Sequence, residues 1–66
     1  MSLSIKIAVA EPSLIIRSGL LAVLKRLSAL SIQVVEITDF ATLINTLRDE
    51  EPDILVANPA LLGVLS

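Results

Sequence analysis

The sequence predicts an α/β domain, ordered β-α-β-α-β around a parallel sheet. Three observations predict it. Short apolar runs, two of them closed by proline, alternate with longer stretches of helical periodicity. The connections between them are only a few residues long, and alternation of this kind implies right-handed crossovers and a parallel sheet. The first run is almost continuously apolar, as a strand covered on both faces must be. No repeat, linker or low-complexity stretch interrupts residues 1–66, so the chain reads as one unit. Three strands make half of a typical doubly wound sheet.

The first strand, about 5–10, is Ile5-Lys6-Ile7-Ala8-Val9-Ala10, ended by Glu11-Pro12. A helix follows over about 13–30, with Ser13 placed to accept a hydrogen bond from a free first-turn N–H. At 100° per residue, Ile16, Leu20, Val23, Leu24, Leu27 and Leu30 form one apolar face. Arg17, Ser18, Lys25, Arg26 and Ser28 lie largely opposite, as a solvated face. Leu14 and Leu21 fall one heptad apart on that polar side, either as scattered surface leucines or as a second contact patch. The second strand, about 32–37, carries Gln33 and Glu36 among apolar residues and suits a more exposed, edge position. Thr38-Asp39 offers a cap for a second helix over about 39–50, whose apolar face is Phe40, Leu43, Ile44 and Leu47. Thr42 and Thr46 read as surface residues, and Arg48 to Glu51 as a solvated end. Pro52 stops the helix, because its ring clashes with a continuing turn. A third strand, about 53–58, runs from Asp53 to Asn58 and is closed by Pro59; the tail after it is apolar.

Composition narrows the function. With 66 residues the chain buries only about 60% of its unfolded surface. Yet 55% of its residues are hydrophobic and its mean hydropathy is +0.88, more than one small copy can hide. It has no cysteine and no histidine, which removes disulfides, the zinc sites built on those ligands and imidazole chemistry. Either a partner chain, most simply a second copy, covers the excess, or residues beyond Ser66 do so in a longer parent; a homodimer is the expectation. Charges interrupt every apolar run long enough to span a bilayer, and the start lacks the pattern of a signal peptide, so a cytoplasmic protein with no membrane partner is expected. The net charge of −2 and pI near 4.7 make this segment a poor ligand for nucleic acid.

Open parallel α/β sheets bind ligands beyond the carboxyl ends of their strands. Those ends carry Glu11 and Pro12, Thr38 and Asp39, and Asn58. The segment Glu11-Pro12-Ser13-Leu14 contains no glycine, which argues against a phosphate loop of the dinucleotide type. Glu11 reads either as a solvated acid at a strand end or as part of a pocket. Asn58 reads either as a turn residue bonding its own backbone or as the pocket's other wall. Deamidation of Asn58 through its usual cyclic route is blocked, since that route needs the next residue's N–H and Pro59 has none.

Two segments resemble a family. Ala10-Glu11-Pro12-Ser13-Leu14-Ile15-Ile16-Arg17-Ser18-Gly19-Leu20 is similar to the opening of receiver domains in the NarL/LuxR class of bacterial response regulators, which show a strand, two acids and a helix with Arg-x-Gly-Leu. Pro52-Asp53-Ile54-Leu55-Val56-Ala57-Asn58 resembles the same family's Pro-Asp-(apolar)4-Asp strand. The resemblance covers about 5–63. It implies the first half of a flavodoxin-like (CheY-like) doubly wound sheet with strand order 2-1-3. In that family a kinase's phosphohistidine gives its phosphate to the aspartate ending the third strand, beside a Mg²⁺ held by that aspartate and the acidic pair. Carried over, Glu11 stands for the first acid, Pro12 replaces the second and Asn58 replaces the phosphoacceptor.

Those departures remove the chemistry. An acyl phosphate needs a carboxylate oxygen as nucleophile, and Mg²⁺ prefers several oxygen ligands in a rigid octahedron. No catalytic residue, metal or cofactor is therefore expected. The leading expectation is a phosphorylation-independent receiver module of a two-component transcription regulator, acting by contact with a second copy or with other regulator proteins. Any DNA-binding domain would follow in a longer parent. The expected interface residues are Leu14, Leu21, Leu61, Leu62 and Leu65. The alternatives are a Mg-dependent phosphoacceptor or other catalytic α/β domain with a non-standard site, and a truncated fragment that only self-associates.

Overall fold

A computed structural model describes residues 4–27 and 31–62. Its elements are β1 (Ser4–Ala10), α1 (Leu14–Leu27), β2 (Ser31–Ile37), α2 (Phe40–Glu50), β3 (Ile54–Ala57) and a short 3-10 helix (Pro59–Leu62). The strands form one parallel sheet in the order β2-β1-β3. The α/β class and the strand order 2-1-3 agree with expectation, as does the central place of β1 and the edge place of β2. The last residues of the first predicted helix, 28–30, lie outside the described residues. Among the described residues, no helix is long and apolar enough to cross a membrane.

Register and strand alternation sort the side chains onto two faces. Ala8 pairs with Val35 and Leu55, and Ala10 with Ile37 and Ala57, so these share one face. Leu43 of α2 packs there against Ala8, Ala10 and Ile37, flanked by Val35, Ala57 and Leu61. Ile7 and Val9 point to the other face with Val34, Glu36, Ile54 and Val56. On that face Arg17 of α1 reaches Glu36. The crossover from β1 to β2 and the crossover from β2 to β3 run across the sheet in opposite directions, so helices of one hand fall on opposite faces.

Both helices begin at side-chain caps. The Ser13 hydroxyl accepts from the Ile16 N–H at 3.4 Å, and the Asp39 carboxylate accepts from the Thr42 N–H at 3.0 Å. α2 ends at Glu51, whose φ of 47° is the left-handed turn that commonly closes a helix. Pro52 follows and prevents continuation.

Four expectations about helix faces need correction. The inward stripe of α1 is Arg17, Leu20, Leu21 and Leu24, while Ile16 and Val23 are exposed. The helix is turned from the face its leucine pattern indicated because Arg17 points inward and is held by two hydrogen bonds. Arg17 is therefore part of the packing and not of a solvated face. On α2 only Leu43 of the predicted apolar stripe is buried; Phe40, Ile44 and Leu47 are exposed. Thr46 is buried beside it, not on the surface, since it follows Leu43 by three residues and shares its side of the helix.

Candidate functional site at the carboxyl end of the sheet

β1 and β3 are adjacent and parallel, so their carboxyl ends emerge side by side and bring Glu11 to Asn58 across the chain. The Asn58 backbone N–H donates to the Ala10 carbonyl at 2.9 Å, continuing the ladder one residue beyond β3. Its side-chain Nδ2 then donates to Glu11 Oε1 at 3.0 Å. The second carboxylate oxygen, Oε2, accepts from the Ser13 N–H at 2.8 Å. Glu11 is only 5% exposed, so it is a buried acid and not a solvated one. A buried carboxylate is costly unless its oxygens are paired. Here each oxygen accepts from a neutral N–H group, one on the Asn58 side-chain amide and one on the Ser13 backbone.

The Glu11 backbone is fixed equally well. Its N–H donates to the Ile37 carbonyl at 3.0 Å, which ties the end of β1 to β2. Its own carbonyl accepts from Arg17 Nη1 at 2.8 Å. Arg17 Nε also donates to Glu36 Oε1 at 2.8 Å, so one guanidinium joins α1, the end of β1 and β2. The planar fork of arginine suits such a double contact. Arg17 was not foreseen here; its only sequence signal was the Arg-x-Gly-Leu likeness.

Asn58 performs both roles that the sequence left open. Besides donating to Glu11, it accepts from the Ala60 N–H through Oδ1 at 2.9 Å, and its carbonyl accepts from the Leu61 N–H at 2.9 Å. The amide orientation is fixed by chemistry, because only the NH₂ side can face a carboxylate. Pro12 is exposed and brings no oxygen-bearing side chain to the pocket. Asp39 lies at the end of β2, but its carboxylate is engaged within α2. Thr42 donates to it through its hydroxyl at 2.6 Å and through its N–H. The hydroxyl bond, then the backbone bond, hold the Asp39 carboxyl below its ordinary range.

This donor set does not fit a Mg²⁺ site. Such a site uses several free oxygens, whereas here a single carboxylate has both oxygens occupied by N–H donors. Among the described residues, no three acidic, cysteine or histidine side chains converge. The other predicted site residues scatter. Leu14 is exposed at 66%, Leu21 is half-buried on the inner stripe of α1, and Leu61 packs against the core cluster. The side chain of Leu62 and all of Leu65 lie outside the described residues.

Comparison with protein families, with curated proteins and with solved structures returns no match for this chain. The functional reading therefore rests on the residues themselves.

Proposed function

We propose that this chain is the first half of a flavodoxin-like receiver module, from a cytoplasmic bacterial transcription regulator, and that it acts without phosphorylation. Its role is protein contact, with self-association as the primary mode. One observation carries the reading: Asn58 occupies the strand end where the resembling family has its phosphoacceptor, and its amide is bonded to Glu11 at 3.0 Å. The bond ties the ends of the first and third strands together through their side chains. A side-chain amide gives phosphate no carboxylate nucleophile, and each Glu11 carboxylate oxygen already accepts an N–H. The strand order β2-β1-β3 supports the reading, as does the meeting of the first and third strand ends.

The test is incubation of the purified chain with Mg²⁺ and a small acyl-phosphate donor, followed by intact mass. The expected spectrum is unchanged. Addition of one phosphoryl group to the unaltered chain would overturn the proposal and favour a phosphoacceptor with a non-standard site.

A further inference from the structure

Several large apolar side chains of both helices are open, and the hand of the chain sorts them into two groups. The Ala10 side chain lies with Leu43 on the α2 face while its carbonyl accepts from Asn58, so β3 stands to the right of β1 as seen from α2. That is the right-handed sense for β2-α2-β3, and equally for β1-α1-β2 on the other face. Each helix runs antiparallel to the strands, so its residues turn from the inward direction toward the strand that follows it. On α2 this carries Phe40, Ile44 and Leu47 to the β3 side of the inward Leu43. On α1 it leaves Ile16 and Val23 on the β3 side as well. A doubly wound sheet grows past β3, and helices added on its two faces would lie against these five. Leu14, at 66% exposure, and Ile15, at 85%, belong elsewhere. Leu14 turns toward β2 and Ile15 directly away from the sheet, where nothing added beyond β3 reaches.

These two residues open a longer patch. At 100° per residue, Leu14, Ile15, Ser18, Ala22 and Lys25 share an arc of about 100° on the shoulder of α1 next to β2, and all five are exposed. Ser18 and Ala22 are small, so another helix can approach the middle of the patch closely. Charge marks its two ends. Lys25 and Arg26 stand in the last turn of α1. Near the first turns stands Glu36 of the neighbouring β2, whose side chain is 51% exposed although its Oε1 holds Arg17.

We propose that a second copy of this chain covers that shoulder, α1 packing antiparallel against α1 about a two-fold axis at Ser18. This deepens the self-association reading above, and rests on it, by naming the surface. With that axis Leu14 of one copy meets Ala22 of the other, and Lys25 is carried to the end where the other copy's Glu36 stands. Symmetry repeats both pairs. Opposite charges at the two ends of one patch are what a self-complementary contact needs. A parallel arrangement would instead set Lys25 beside Lys25 and Arg26 beside Arg26. The contact is one helix wide, narrower than a standard interface, so the dimer is reversible and its share rises with protein concentration. It leaves the β3 side of the sheet untouched.

The chain has no cysteine, so a single introduced thiol reports on its own surroundings. Ser18→Cys sits on the proposed axis, where the two thiols fall within disulfide reach. Ala41→Cys, exposed on α2 across the sheet, is the control. With a mild thiol oxidant at equal protein concentration, Ser18→Cys should give a linked species of twice 7.0 kDa well before Ala41→Cys does. Adding Ala22→Glu should abolish that linkage and keep the fold, since the new carboxylate can pair with Lys25 or Arg26 along the helix. Adding Leu55→Lys, a change on the β3 side, should leave the linkage as it was. Light scattering at low salt should show Lys25→Glu dimerising about five-fold more weakly, the scale of one exposed ion pair. Equal linking rates at positions 18 and 41 in a chain that dimerises by light scattering, or linkage that survives Ala22→Glu, would overturn the shoulder and keep self-association. A monomeric chain whose Ser18→Cys form does not link would overturn both. The phosphoryl test is read separately from either result.

Discussion

Placing an acid at position 58 should weaken this protein, and the size of the loss follows from the geometry. Asn58→Asp replaces an N–H donor 3.0 Å from Glu11 Oε1 with a second carboxylate. Two unit charges at about that distance repel by about 5 kcal/mol at an effective dielectric of about 20. The pair can escape by binding one proton. At pH 7, about three units above an ordinary carboxyl pKa, proton uptake costs about 4 kcal/mol, which caps the loss. The expected destabilisation is thus about 3–4 kcal/mol at neutral pH, a large part of the stability of so small a domain. The sign with pH is definite. Repulsion raises the folded-state pKa of the pair above its unfolded value, so the folded variant holds the extra proton and loses stability as pH rises. The deficit relative to the unaltered chain should shrink by about 1.4 kcal/mol for each pH unit descended, closing near pH 4. Urea unfolding followed by circular dichroism at several pH values measures it. If the variant already unfolds at neutral pH, recovery of its helical signal on mild acidification gives the same answer. A difference within about 0.5 kcal/mol that does not change with pH would refute the Glu11–Asn58 contact, since remote surface changes have that size.

Three further outcomes follow from other contacts. Arg17→Ala should cost about 2 kcal/mol in denaturant unfolding, the scale of hydrogen bonds to a charged group, and Arg17→Lys should recover only part of it because an ammonium cannot span the Glu11 carbonyl and Glu36. Gly19→Ala should stabilise by about 1 kcal/mol, since a Cβ there meets nothing within 4 Å and alanine is the better helix former. Asp39→Ala should lower the melting temperature at neutral pH but not in strong acid; the Asp39 pKa is depressed, so its contribution is present above the unfolded value of 3.8 and lost as pH falls through the folded one.

Element order was legible because proline, apolar runs and helical spacing are local signals. Pro12, Pro52 and Pro59 mark where β1, α2 and β3 give way, within a residue or two of the observed ends. Helix orientation was not legible on α1. Periodicity counts leucines and turns arginines outward, yet Arg17 faces inward because the Glu11 carbonyl and Glu36 supply acceptors from other elements. Thr46 was missed for a related reason: a hydroxyl is small enough to follow Leu43 inward, and its polarity hid it. The pairing of Glu11 with Asn58 could be anticipated only through the family likeness, which placed them at neighbouring strand ends. The Ser13 N–H on Glu11 Oε2 had no side-chain signal at all, being a backbone group aimed by the start of α1.

The side-chain amide of Asn58 gives the most direct test, by nuclear magnetic resonance of the ¹⁵N-labelled chain during Mg²⁺ titration. A part-buried Nδ2–H···Oε1 bond predicts an amide proton that exchanges more slowly than a free one, with a signal that stays in place as Mg²⁺ is added and moves in Glu11→Ala. Fast exchange with water, together with Mg²⁺-dependent shifts at Glu11 and Asn58, would contradict a Glu11 carboxylate held by Asn58.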